Sequence, residues 1–80
     1  MSTPINTAAH QTTMMQIIVN GETRNVTAGL TAAQLIELLE LGGHRLAMEV
    51  NCEIVPRSQY ASHAFCPGDR IEIVQAIGGG

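Results

Sequence analysis

Two β-patterned runs, Gln16-Ile17-Ile18-Val19 and Glu22 to Val26, are separated by Asn20-Gly21 and nothing else. A type I′ turn needs positive φ at both central residues, which Asn and Gly tolerate best, and its twist matches that of the strands it joins. An antiparallel hairpin opening at Met15 is therefore expected. A two-stranded ribbon is only marginally stable in water, so the rest of the chain has to pack against it.

The next pattern is helical. Thr31-Ala32-Ala33-Gln34 fits a capping box, in which the Thr31 hydroxyl accepts from the Gln34 amide and the Gln34 side chain reaches back. A helix is expected from about Ala32. Leu35, Leu38 and Leu39 form its apolar face at i, i+3, i+4 spacing, with Gln34, Glu37 and Glu40 outward and Gly42-Gly43 supplying a left-handed C-cap.

Beyond it, Leu46, Met48 and Val50 alternate with Ala47, Glu49 and Asn51 as a third strand. Glu53-Ile54-Val55 reads as a short edge strand stopped by Pro56, and Pro67-Gly68-Asp69 turns the chain into a last strand from Arg70 to Ala76. Hairpin, helix and later strands make an α+β chain: a mixed sheet of four to five strands packed on one helix. Handedness rules favour a crossover through the helix that leaves the third strand parallel to one of the first two. No internal repeat is present.

With 80 residues there is room for one domain, read here as residues 15–76, and its core must be aliphatic because Tyr60 and Phe65 are the only aromatic residues. Four arginines and no lysine stand against seven acidic residues, a net charge of −3. That balance does not build a phosphate-binding patch, and stacking platforms for bases are missing, so nucleic acid is not an expected partner. No apolar run has the roughly 20 residues of a membrane span and no signal-peptide pattern opens the chain, so no membrane partner and a cytoplasmic location are expected. Residues 1–14 contain no charged side chain and no periodic apolar pattern, and read as a disordered extension.

Cys52 and Cys66 are too far apart for a CxxC motif and too few for a structural zinc, so no metal site is expected and buried reduced thiols are the plain reading. Pairing either with His44 or His63 would give a nucleophile and a base, but four such combinations arise easily by accident, and both histidines fall in turn or loop sequence. Glu49 and Glu53 read as solvated strand-edge carboxylates. No catalytic residue is assigned.

The chemistry is expected at the end of the chain. The last strand runs without a polar linker into Ile77-Gly78-Gly79-Gly80, residues 77–80 being read as a flexible functional tail. Glycine has no Cβ, so such a tail is thin enough to enter a narrow channel, and four residues reach roughly 13 Å when extended. A free α-carboxylate is ionised at neutral pH and resists nucleophiles, so it has to be activated before it can react. Condensation with the α-phosphate of ATP gives an acyl adenylate, and attack by a persulfide or sulfide with loss of AMP leads to a terminal thiocarboxylate.

Three blocks carry a family resemblance across residues 15–80: Met15-Gln16-Ile17-Ile18-Val19-Asn20-Gly21-Glu22; Val50-Asn51 with Glu53-Ile54-Val55-Pro56-Arg57-Ser58; and Gly68-Asp69-Arg70-Ile71-Glu72-Ile73-Val74 leading to Ala76-Ile77-Gly78-Gly79-Gly80. They resemble the ThiS family, the sulfur carriers of bacterial thiamine biosynthesis. The resemblance implies a ubiquitin-like β-grasp fold and places the covalent modification, adenylate and then thiocarboxylate, at Gly80. Gly78 and Gly79 become the part that enters the partner's channel. It also implies a ThiF-like adenylyltransferase, a ThiG-like thiazole synthase, and a sulfur donor, either a cysteine desulfurase or a persulfide protein. No cofactor is bound by the carrier itself, ATP being used by the adenylating partner, and the chain is a co-substrate and not an enzyme. Residues 1–14 have no counterpart in the family.

Three other readings use the same residues. The small subunit of molybdopterin synthase shares the fold and a Gly-Gly end, though the Val55-Pro56-Arg57-Ser58 stretch looks like the thiamine branch. A ubiquitin-like interaction module would bind partners without sulfur chemistry and has no need of a free glycine end. An adenylate passed to target amines, as in protein conjugation, starts from the same carboxylate. Partner contacts are expected among outward apolar residues such as Ile18, Phe65 and Val74.

Overall fold

A computed structural model describes residues 13–75. The expected elements are present: strands β1 (Met14–Val19) and β2 (Glu22–Thr27), helix α1 (Ala32–Leu38), strands β3 (Leu46–Val50) and β4 (Glu53–Val55), a 3-10 turn over Arg57–Gln59, and strand β5 (Arg70–Gln75). β1 starts one residue before the expected Met15, because Met14 pairs with Thr27 and the Ala28 amide donates to the Thr13 carbonyl at 2.7 Å. Of the extension read over residues 1–14, residues 1–12 lie outside the described residues, as do Ala76 and the tail read over 77–80.

The Asn20-Gly21 turn forms as expected, with φ of 49° and 85°. A second turn of the same hand, Asn51-Cys52 with φ of 52° and 72°, joins β3 to β4. Asn51 is therefore a turn residue and not the end of β3. The two-residue gap between Val50 and Glu53, opened by an Asn, carried the signal. At the start of β5, Cys66-Pro67-Gly68-Asp69 closes through an Asp69 amide to Cys66 carbonyl bond of 3.1 Å, with Gly68 at φ 82°, the geometry for which Pro-Gly is suited.

The capping box of α1 is complete, the Gln34 amide donating to Thr31 Oγ1 at 3.2 Å and the Thr31 amide to Gln34 Oε1 at 2.9 Å. Its apolar face differs from expectation. Ala32, Leu35 and Ile36 are buried and Leu39 packs against the core, whereas Leu38 is 57% exposed. At roughly 100° per residue the buried set centres about 50° past Leu35, and Leu38 lies about 110° from that centre. Ile36 had to be counted to find the phase.

The helix also ends earlier than expected. Glu40, at φ 60°, is the left-handed residue, and the Glu40 and Leu41 amides donate to the Glu37 and Ile36 carbonyls at 3.0 and 2.9 Å. This paired closure stops the helix two residues before Gly42-Gly43.

The five strands lie in the order β2-β1-β5-β3-β4. β5 is parallel to β1, and β3 is antiparallel to both β5 and β4. It follows that β3 runs in the same direction as β2 without touching it. The crossover through α1 carries the chain past β1, and β5 later fills the gap. β5 can do so because Ile71 and Ile73 bury themselves on the helix side, where they meet Ile17, Met48, Leu35 and Phe65. Phe65 is thus a core residue, contrary to its expected place on a partner surface.

Candidate functional site

β5 is the central strand of the sheet and the last described element before the glycine run. Its start is fixed by side chains. Asn51 Oδ1 accepts from the Arg70 amide at 3.0 Å and Asn51 Nδ2 donates to Asp69 Oδ1 at 3.0 Å, while Asp69 Oδ2 accepts from the Cys66 amide at 2.8 Å. Its far end pairs with β3, Gln75 lying opposite Leu46. On the side of β1, Asn20 Oδ1 accepts from the Ile73 amide at 2.8 Å and Asn20 Nδ2 donates to the Ile73 carbonyl at 3.2 Å. The strand that precedes the glycine run in sequence is therefore held along both edges.

The sheet face turned away from α1 is open. Near the end of β5 it shows Val74, 63% exposed and paired with Ala47. In the next row Glu72 lies opposite Glu49, and Glu49 lies opposite Ile54, which is 73% exposed. Ile18 is half-buried farther toward β1. Two carboxylates directly across a strand pair repel each other, so this row is not arranged for the stability of the isolated domain. It joins large aliphatic groups to negative charge on one surface. Glu49 is inside the sheet, between β5 and β4, and not at a strand edge.

The remaining candidates sit elsewhere. Cys52 and Cys66 are free and both are exposed, not buried as expected, because each lies in a turn that projects from the sheet. Cys66 and His63 line a cleft of about 350 Å³ together with Glu53 and Asp69. Asp69 is already engaged by Asn51 and by the Cys66 amide, and the His63 ring packs edge-on against Phe65 with centroids 5.7 Å apart. His44 is on another cavity, of about 210 Å³, between α1 and the 3-10 turn, where Arg57 and Tyr60 complete the wall. The other Cys–His combinations are not brought together in either cleft. Among the described residues no group of acidic, His and Cys side chains is arranged to hold a metal ion, and no helix is long and apolar enough to cross a membrane.

If the thiols take no part in sulfur chemistry, Cys52→Ser and Cys66→Ser accept and deliver sulfur at the parental rate. A variant that keeps its melting temperature yet fails to transfer would place a persulfide on that cysteine. Parallel melting curves and intact-mass assays read both quantities.

The signal that sequence reasoning passed over is the pair of asparagines that open the two type I′ turns. Each was legible as a turn former, and neither as a side chain that reaches across to β5.

The model of the ThiS family matches residues 17–80. The sulfur carrier protein ThiS of Escherichia coli strain K12 is 39% identical over 66 residues, which cover 82% of this chain and all of that protein. A thiazole synthase of Paramagnetospirillum magneticum is 46% identical over 66 residues, but the chain spans only 20% of its length. In three dimensions the chain is similar to the crystal structure of the thiamine biosynthesis protein ThiS from Geobacter metallireducens. The TM-score is 0.71 at 26% identity, covering 82% of this chain and 100% of the other. The three sequence blocks, the β-grasp sheet with β5 at its centre, and a match that takes in the glycine run lead to one assignment: this chain belongs to the ThiS family.

Proposed function

We propose that the chain is the sulfur carrier of thiazole formation in thiamine biosynthesis, and that its working atom is the terminal carboxylate carbon of Gly80. The observation that carries this reading is the placing of β5. The central strand of the sheet is tethered on both edges and leads within a residue or two into Ile77-Gly78-Gly79-Gly80. A rigid base and a thin end suit a group that must be delivered into two different enzymes in turn.

A ThiF-like adenylyltransferase attaches the carboxylate oxygen to the α-phosphate of ATP and releases pyrophosphate. The terminal sulfur of a persulfide, supplied by a cysteine desulfurase or another persulfide protein, then attacks the acyl carbon and AMP leaves. A second thiolate cleaves the acyl disulfide, leaving a disulfide on the donor side and a thiocarboxylate on Gly80. Sulfide in place of persulfide reaches the same product without the reductive step. The thiocarboxylate sulfur is the nucleophile passed to a ThiG-like thiazole synthase, a partner suggested by the likeness to thiazole synthases. The chain is acted upon in this scheme and performs no catalysis itself. The open face, with Val74, Ala47 and Ile54 around the Glu49–Glu72 pair, offers the adenylating enzyme apolar contact and a place for a basic side chain.

The test is a mass measurement. Incubated with ATP, a ThiF-like enzyme and a persulfide source, the chain gains about 16 Da, sulfur for one oxygen, and fragmentation locates the gain at Gly80. Thiazole formation with the synthase then distinguishes it from a molybdopterin-type carrier. A chain that stays at its parental mass under these conditions, while still binding the enzyme, is an interaction module.

A further inference from the structure

The parallel ladder between β1 and β5 ends early. Its registered pairs are Ile18↔Arg70 and Val19↔Ile71, closed by an Asn20 amide to Ile71 carbonyl bond of 2.8 Å. At Asn20 the backbone turns to φ 49° and leaves for β2, so the main chain of β1 has nothing to offer β5 beyond Ile71. On that edge β5 would be unpaired from Ile73 onward, seven residues ahead of Gly80. The Asn20 carboxamide fills the position instead, accepting from the Ile73 amide and donating to the Ile73 carbonyl. It does with a side chain what another strand residue would have done with its peptide group.

We propose that Asn20 is a positioning residue for the carrier reaction: its carboxamide extends the β1–β5 ladder onto Ile73 and so fixes the point from which the glycine tail departs. This inference rests on the sulfur-carrier reading. Asn20 touches neither the reacting carbon nor ATP and acts through β5. Without it, the end of β5 is held by β3 alone, and Ile73 to Gln75 open more readily from the sheet. Opening there loosens the base from which Gly80 is presented and lowers the effective concentration of its carboxylate in the partner's site, while docking through β3 and β4 is unchanged. The loss therefore falls on kcat and not on KM.

The protein contains its own control. Asn51 occupies the equivalent position in the other type I′ turn and makes the same number of side-chain bonds, but to Asp69 and Arg70 at the start of β5, ten or more residues ahead of Gly80. Asn20→Gly and Asn51→Gly both remove a carboxamide and keep a residue that accepts positive φ, so both turns survive. Asn20→Asp retains the acceptor for the Ile73 amide and loses the donor to its carbonyl.

The experiment uses the full chain with an adenylating enzyme, ATP and sulfide. It measures melting temperature, amide hydrogen exchange at Ile73, and kcat and KM for thiocarboxylate formation by intact mass. Both Gly variants melt several degrees lower, by similar amounts. Exchange at Ile73 accelerates roughly tenfold in Asn20→Gly only, as expected for loss of one net hydrogen bond. In the same variant kcat falls about threefold or more at unchanged KM, Asn20→Asp lies between it and the parent, and Asn51→Gly turns over at the parental rate. Equal kcat losses in the two Gly variants, or a parental kcat in Asn20→Gly, overturn the proposal. Absence of sulfur uptake by the parental chain is a separate result, which refutes the carrier reading and with it any role for Asn20 in that reaction.

Discussion

Adding one residue after Gly80, or replacing Gly79 and Gly80 together by alanine, abolishes thiocarboxylate formation and leaves the melting temperature at its parental value. The two variants fail for different reasons. The added residue moves the terminal carboxylate by roughly 3.5 Å, and a displacement of about 1 Å in a reacting group can already cost about a hundredfold in rate. The alanines leave the carboxylate at its distance but add two Cβ atoms to a segment proposed to thread a channel. Deleting Gly80 shortens the reach by the same 3.5 Å or so and reduces the reaction without adding bulk. Among the described residues the buried apolar core runs from Met15 to Ile73, so these changes at the chain end are expected to leave it intact. Intact-mass kinetics beside a melting curve separates loss of chemistry from loss of fold. If the lengthened chain gains sulfur at the parental rate, the terminal carboxylate is not the acceptor.

The largest stability effect is expected at Leu35 and not at its neighbour Leu38. Leu35 is 0% exposed and lies among Ile17, Met48, Ile71 and Phe65, so Leu35→Ala removes buried methyl groups and leaves a cavity, at a cost of about 2–5 kcal/mol. For a domain of this size each kcal/mol lowers the melting temperature by roughly 4–8 °C, so the variant melts about 8–40 °C below the parent. Leu38→Ala changes a side chain that already faces water, and stays within about 0.5 kcal/mol of the parent. Urea titrations of the two variants, compared at constant m, decide the matter. Equal destabilisation would return the helix to the phase in which Leu38 is buried.

That contrast marks where local pattern stops being informative. The Asn20-Gly21 hairpin, the Thr31-Gln34 capping box, the Pro67-Gly68 turn and the alternation of β3 were all legible, since each depends on a few adjacent residues and on φ values only some of them accept. The helix phase was read from three leucines. Ile36 was omitted, and a face roughly 100° wide cannot be centred when one of its members is missing. Burial of Cys52, Cys66 and Phe65 was misjudged for a related reason: in irregular segments no period links residue type to side. Phe65 is drawn inward because its amide donates to the Leu30 carbonyl at 2.9 Å, beside the start of α1, while each cysteine is carried outward by its turn.

From residue order alone came the element types, the aliphatic core, the exclusion of a basic nucleic-acid surface, and a glycine end poised on a strand, because these follow from short-range geometry and from composition. The arrangement of the strands did not. Placing β5 between β1 and β3 brings together segments about 50 residues apart, and the bond from Asn20 to Ile73 spans 53 positions. No local preference encodes such a contact. It arises when the apolar faces of β1, β3, β5 and α1 can be buried together in only one order, and the polar groups left at the edge of that packing must still find partners. The packed sheet thus turned Asn20 from a turn former into a tether on Ile73, seven residues ahead of Gly80.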